Sequence, residues 1–392
     1  MKKKVLLAAT VDYHFKAFHL PIMKWFKEQG WEVHIAAQGD LELPYTDLKF
    51  NIPIQRSPFK SQNWMALKEL KAIMDEHAYD MIHCHTPMGG VLARLAALKA
   101  RKKGTKVIYT AHGFHFCKGA SLSCWLLYYP AELALSLATD CLITINEEDY
   151  RLAKRHPFKA SRIEHVHGVG VNTEQFKPMD SSLREKKRKL MGYQSDHFLL
   201  FYAAEFNQNK NQEQLIRAVA AIKNQVPRIR LLLAGEGKLL ESCRMLAKEL
   251  EADHLIQFLG FRTDIADLLP LCDAAAGSSY REGLPVNIME AMACGLPVLA
   301  TENRGHRELV VPGENGWLVK PGDVEDMAGR MLLLVTYSSG QRQLLGRSSR
   351  EKIVSKYSEQ MVLKQKSTVY VKYMDQKEVP HVQARESSSL GR

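Results

Sequence analysis

The chain reads as an α/β protein built from two tandem doubly wound sheets that face each other across a cleft. Three observations lead there. At 392 residues it exceeds the size at which a single hydrophobic core usually keeps growing. Short apolar runs alternate with helix-period segments along most of its length, the rhythm of parallel strands joined by crossover helices. That rhythm breaks once, in the polar and charged stretch 179–196, and then restarts.

The elements follow in order. Residues 5–9 are an apolar first strand, 19–29 have helical spacing and end at Gly30, and 32–37 form a second strand. Strands over 106–110 and 141–145 come later. The stretch 122–145 is the most apolar in the chain, but Pro130, Glu132 and Asp140 interrupt it. It reads as a buried helix followed by a strand, not as a membrane span. The second alternation places strands at 198–203, 229–234, 255–259, 274–277 and 298–301, with a helix over 211–224. In such sheets ligands bind beyond the carboxyl ends of the strands, so the cleft is the expected site.

Bulk properties narrow the class. Hydrophobic content of 46% and charged content of 25% suit a globular protein. Seven cysteines at scattered spacings read as free thiols in a reducing compartment. The basic start at Lys2, Lys3 and Lys4 precedes an apolar run too short for a signal peptide. Net charge is +11, and residues 1–178 hold 24 Lys plus Arg against 17 Asp plus Glu, or +7 of it. The first half therefore faces something anionic. Nucleic acid is disfavoured, because the basic residues form short clusters without an aromatic stacking series.

The chemistry concentrates between Arg281 and Glu290. Gly283 permits a tight turn, Pro285 suits a helix start, and a helix runs from Val286 until Gly295 ends it. Free N–H groups at such a start attract a phosphate. Glutamates in loops and on short helices ordinarily face solvent. Glu290 differs, because Ile288, Met289, Ala291, Met292 and Ala293 surround it and an ionised group among them needs a partner. A diphosphate at the helix mouth, with a hydroxyl-bearing group beside each of Glu282 and Glu290, has the shape of a nucleotide sugar.

Other runs sit at strand ends. Lys210 closes the Glu205-Phe206-Asn207-Gln208-Asn209-Lys210 run and is placed to neutralise a leaving diphosphate. Gly113 turns the chain after a first-domain strand, so His112 projects into the cleft. His83-Cys84-His85 with Cys117 and Cys124 invites a zinc reading, but the second pair has the wrong spacing. No D-x-D pair stands at a strand end, and Gly235-Glu236-Gly237-Lys238 lacks the P-loop spacing. No metal or cofactor is therefore expected. A dinucleotide-binding oxidoreductase, or an epimerase-like nucleotide-sugar enzyme, is the alternative. It expects glycines after the first strand, where Thr10 to Phe15 has none.

The run from Glu282 to Glu290 resembles the E-x7-E motif of retaining GT-B glycosyltransferases of family four, in the bacterial capsule and exopolysaccharide branch. The resemblance extends from the first strand to about residue 375. It implies an acceptor-binding domain over 1–178, a linker over 179–196 and a nucleotide-sugar domain over 197–357. A helix over 358–376 then crosses back to the first domain, and the polar tail 377–392 reads as disordered. By resemblance, Glu282 holds donor-sugar hydroxyls, Glu290 the ribose, and Lys210 with the Val286 helix start the diphosphate. Gly283, Leu284 and Pro285 shape that wall. His112 approaches the reacting carbon, while His14, His85 and His115 lie on the acceptor side. Glu205 stands where the family has an arginine; Arg262, Arg281 or Arg304 could supply the second charge, and the sequence does not choose among them. The implied partners are a nucleotide sugar, a UDP-sugar by motif style, and a polyprenol-diphosphate-linked saccharide. The basic cluster Lys99, Arg101, Lys102, Lys103 and Lys106, with the aromatic stretch from Trp125 to Tyr129, adds an anionic membrane surface. A cytoplasmic protein held peripherally at the membrane follows.

Overall fold

The computed structural model describes residues 2–374, so the 377–392 tail lies outside the described residues. The first sheet contains β1 (Lys4–Val11), β2 (Glu32–Gln38), β3 (Leu48–Asn51), β4 (Met81–His85), β5 (Lys106–Ala111), β6 (Cys141–Thr144) and β7 (Arg162–His165), in the order 3-2-1-4-5-6-7. The second contains β8 (Phe198–Ala203), β9 (Ile229–Ala234), β10 (Ile256–Gly260), β11 (Ala274–Gly277), β12 (Val298–Thr301) and β13 (Gly316–Val319), in the order 10-9-8-11-12-13. Every pairing is parallel. Each strand order reverses once, at β1/β4 and at β8/β11, and a reversal opens a crevice at the carboxyl ends. The central strands read as unbroken apolar runs because helices cover both faces. In β1, Val5 to Ala9 are all fully buried.

Strands β3, β7 and β13 escape the sequence reading, and each is four residues long; His85, read as a strand end, closes the wholly buried β4. The stretch 179–196 carries the helix Ser181–Leu190, capped by Asp180. Arg184 and Arg188 of that helix pair with Asp273 at 2.8 and 3.1 Å, which packs it on the second unit. The last helix, Glu359–Met374, lies on the first sheet through Val362, Val369 and Tyr370. There Tyr370 meets the rings of Trp25 and Phe26.

The helix expected to be buried within 122–145 is not. It spans Leu122–Ser136, and only Leu135 and Ser136 are buried. Trp125, Tyr128 and Tyr129 pack against the first core, while Leu122 and Leu126 are 72% and 70% exposed. The basic cluster is partly neutralised as well, because Lys99 pairs with Asp75 and Arg101 with Asp140, both at 2.9 Å. Among the described residues no helix is long and apolar enough to cross a membrane.

Candidate active site

A cleft of about 1090 Å³ separates the strand ends of the two sheets. Tyr13 and Lys16 line it from beyond β1, Ala203 from the end of β8, and Glu205, Gly235 and Arg262 from beyond β8, β9 and β10. The run after β8 is built by its asparagines. Asn207 Oδ1 accepts the Lys210 N–H at 3.0 Å, and Asn211 takes the left-handed conformation that starts the next helix. Asn209 clamps the facing loop, accepting from Arg281 N–H at 3.1 Å and donating to Arg281 C=O at 3.0 Å. These bonds hold Lys210 Nζ 2.5 Å from Glu282 Oε1, with both side chains largely shielded. Gly235 and Gly237 pack on the backbone of Ala204 and Phe206, where a Cβ would come within 2.1 and 2.4 Å of a carbonyl oxygen. That stretch is a strand-to-helix turn.

The helix after Gly283, Leu284 and Pro285 spans Val286–Ala293, with Pro285 at its cap position offering no side-chain cap, while Asn287 Oδ1 accepts the Ile288 N–H at 2.9 Å. Asn287 Nδ2 donates to Ala203 C=O at 2.8 Å, which pins the helix start to the end of β8. Glu290 lies one turn further in and lines the same cleft as Val286 and Asn287. Burial pushes its carboxyl up to about 7 from 4.5. Arg262 enters from beyond β10 and is paired with Asp264 at 2.8 Å through Nε.

Histidines gather within the first unit, and His14, His19, His85 and His112, including the His112 expected to project into the cleft, are not among the residues that line it. His14 follows β1, His85 ends β4, His112 follows β5, and His19 joins them from the start of the helix Leu20–Glu28. His14 Nε2 and His19 Nε2 are 3.0 Å apart, and His85 Nδ1 and His112 Nε2 are 3.3 Å apart. Burial holds all four imidazoles below their ordinary value, His14 at about 4, so they are uncharged near neutral pH. Lys366 of the last helix is the cation that acts on His14, His19 and His112. Its own ammonium is pushed down to about 8 by burial. His115 is not part of this group. Its ring stacks on Tyr128 at 4.5 Å, and burial followed by Arg281 and Arg304 lowers it.

The two units touch directly beside these groups. A Cβ on Gly283 would lie 2.0 Å from the His112 carbonyl oxygen, so only glycine allows the loops to meet. Arg304 fastens the contact. It donates to Asp149 Oδ1 and Phe114 C=O at 2.7 Å and to Glu282 C=O at 3.0 Å. Its guanidinium is therefore committed to the contact between the units, whereas Arg262, paired with Asp264, lines the cleft with Glu290.

Asp149, His19 and Lys366 escape the sequence reading. Asp149 had a signal in the spacing Asn146-x-x-Asp149, which caps the helix Glu147–Arg155 in the structure. Nothing marks Lys366, because only the crossing of its helix brings it to the histidines. His83 bonds Thr110 and Tyr370, and the metal-sized clusters among the described residues include none of His83, Cys84, Cys117 and Cys124. Those clusters are His14, His19, His85 and His112, and separately His165, His167 and Glu308.

Two facing parallel sheets with an E-x7-E wall on the second define the GT-B class, and comparison with known proteins agrees. Residues 184–352 match the family described as glycosyl transferases group 1, and residues 4–146 match the one described as glycosyl transferase 4-like. The chain is 52% identical to "Putative glycosyltransferase EpsD" of Bacillus subtilis (strain 168), over 96% of this chain and 98% of that one. It is 25% identical to the UDP-Gal:alpha-D-GlcNAc-diphosphoundecaprenol alpha-1,3-galactosyltransferase of Escherichia coli, over 77% and 79%. Among solved structures, Anabaena Alr3699/HepE in complex with UDP and glucose superposes with a TM-score of 0.77 at 20% identity, covering 94% and 100%. The chain belongs to the family-four GT-B glycosyltransferases.

Proposed function

We propose that the protein transfers a sugar, with retention of configuration, from a UDP-sugar to a polyprenol-diphosphate-linked saccharide in exopolysaccharide or capsule synthesis. The observation that carries this reading is the Glu290 carboxyl, enclosed in the cleft one turn inside a helix start whose cap residue, Pro285, offers no side-chain acceptor. Ribose hydroxyls would donate to it, and the Val286 and Asn287 N–H groups would receive the diphosphate. Lys210 faces Glu282 across 2.5 Å, so the donor can divide the pair, with phosphate to the lysine and sugar hydroxyls to the glutamate. Arg262 adds the second cation. His112 stands over the reacting carbon, and His14, His85 and His115 face the acceptor.

In the transfer, the acceptor hydroxyl oxygen attacks the anomeric carbon from the face the diphosphate leaves. The carbon–phosphate-oxygen bond breaks as the new glycosidic bond forms, and a diphosphate oxygen takes the acceptor proton. Negative charge builds on the leaving group, where Lys210 and the helix start stabilise it more than in the ground state. No metal ion and no cofactor take part in this chemistry.

The relative from Escherichia coli, whose name carries a UDP-sugar and a diphosphoundecaprenol acceptor, supports the choice of both substrates. The acceptor places the enzyme at the cytoplasmic membrane face, with Leu122, Leu126 and Leu127 as the apolar contact and the net positive first half as the electrostatic one. A panel of nucleotide sugars tested by thermal shift is the direct experiment, since a ligand of the native state raises its stability. A UDP-sugar is expected to raise Tm most. No shift with any nucleotide sugar would refute the donor reading, and an inverted product anomer would refute retention.

A further inference from the structure

At the junction of the two units, where Gly168 packs on Leu284, three donor groups converge from separate parts of the chain. His165 ends β7, His167 follows two residues later, and Glu308 belongs to the helix Arg304–Leu309 of the second unit. One donor atom from each lies within 4.8 Å of the others. His165 Nε2 and His167 Nδ1 are both buried without a hydrogen-bond partner among the described residues. Buried polar nitrogens are ordinarily satisfied, so two orphans in one cluster call for an occupant. The other nitrogen of His165, Nδ1, faces Glu147 Oε2 at 3.5 Å. A carboxylate behind a histidine is the arrangement that orients a metal-binding imidazole and raises its basicity. Glu308 is held by the Glu147 N–H at 3.1 Å and, through a longer contact of 3.4 Å, by the Tyr357 hydroxyl. Its lone pairs are only partly used.

We propose that His165, His167 and Glu308 bind one divalent transition-metal ion of zinc type, with Glu147 as the supporting carboxylate, and that the ion ties the two units together. Two imidazoles and one carboxylate with a remaining open position form a donor set that suits zinc. Ligand distances near 2.0–2.2 Å require the three donors to close to about 3.3 Å of one another. Side-chain rotation supplies that movement. Glu147 and Glu308 bring two carboxylates, set against Arg151, which donates to Glu147 Oε1 at 2.7 Å, and Lys352 and Lys356 of the segment before Tyr357. The four-imidazole cluster of His14, His19, His85 and His112 is the weaker candidate, because it has no carboxylate and faces Lys366. The ion is structural and stands apart from the transfer chemistry, so the proposal does not rest on the donor assignment. Its ligands come from both sides of the junction, and Glu308 shares its helix with Arg304. Binding therefore favours the joined arrangement of the units.

The test uses the full chain without a polyhistidine tag, titrated with Co²⁺ and with Zn²⁺. One equivalent of Co²⁺ with visible tetrahedral absorption is expected, displaced by Zn²⁺. His165→Ala and Glu308→Gln should abolish it, Glu147→Gln should weaken it by about 10- to 100-fold, and His19→Ala should leave it intact. X-ray absorption on the unaltered zinc protein guards against a variant that fails to fold, and should show two imidazoles with oxygen. Absence of binding would overturn the proposal. So would a four-imidazole shell, or binding lost in His19→Ala and kept in Glu308→Gln.

Discussion

Glu290 shows how one carboxyl can report on both stability and ligand binding. Its folded value of about 7 exceeds the ordinary 4.5, so between those pH values the folded chain binds the extra proton. The stability this contributes is complete below about 4.5 and is lost as pH rises through about 7, up to about 3 kcal/mol. Urea unfolding should show that decline, and Glu290→Gln should remove it. Donor binding should run the other way, because ribose hydroxyls donate to the ionised form. Calorimetry should find UDP-sugar affinity rising through pH 7. In Glu290→Gln the affinity should become flat and fall roughly ten- to a hundred-fold at pH 8, the worth of a buried hydrogen bond to a charge. Equal affinity in mutant and parent would remove the ribose assignment. Lys210 belongs to the same scale. Lys210→Ala should lower kcat by about 10²-fold or more with a smaller change in KM, and near-parent turnover would pass its role to Arg262.

At the scale of elements, the helix Glu147–Arg155 and the helix Arg304–Leu309 are joined by Asp149 and Arg304, a pair with side chains 0% and 8% exposed. Burial raises the Asp149 carboxyl, and Arg304 with the Phe114 N–H pulls it back. Removing one member strands the other as an unpaired buried charge, which costs about 3–5 kcal/mol. Asp149→Ala should therefore lower unfolding stability by that amount, and the same change in an Arg304→Met background should cost much less. Equal costs in both backgrounds would show that the pair is not coupled. Arg304 looked from the chain alone like a free cation beside the donor loop. Its partner comes from another domain 155 residues away, and no local pattern encodes that distance.

At the scale of the whole molecule, the first unit carries the surface proposed to meet the membrane. Pairing of Lys99 and Arg101 with carboxylates weakens the electrostatic part, and the inward turn of Trp125, Tyr128 and Tyr129 transfers the apolar part to Leu122, Leu126 and Leu127. Sedimentation with anionic vesicles should pellet the protein at low salt and release it as salt screens the charges. Leu126→Asp with Leu127→Asp should abolish pelleting while the thermal shift with a donor persists. A parent protein that stays in the supernatant would discard membrane docking and leave the donor site untouched.

The amino-acid order by itself determined the two alternating units, the central buried strands and the donor loop. Each is a local pattern: an apolar run, a helix period, or a glycine and a proline at a turn. The Glu282 to Glu290 spacing is of this kind, because one loop and one short helix position both carboxylates. Only the tertiary structure decided the short edge strands, the helix inside 179–196 and the exposed face of Leu122–Ser136. It also decided the commitment of Arg304 to Asp149, the gathering of His19 and Lys366, and the junction of His165, His167 and Glu308. These depend on which faces of distant segments meet, and burial and pairing between segments leave no period in the chain from which to read them.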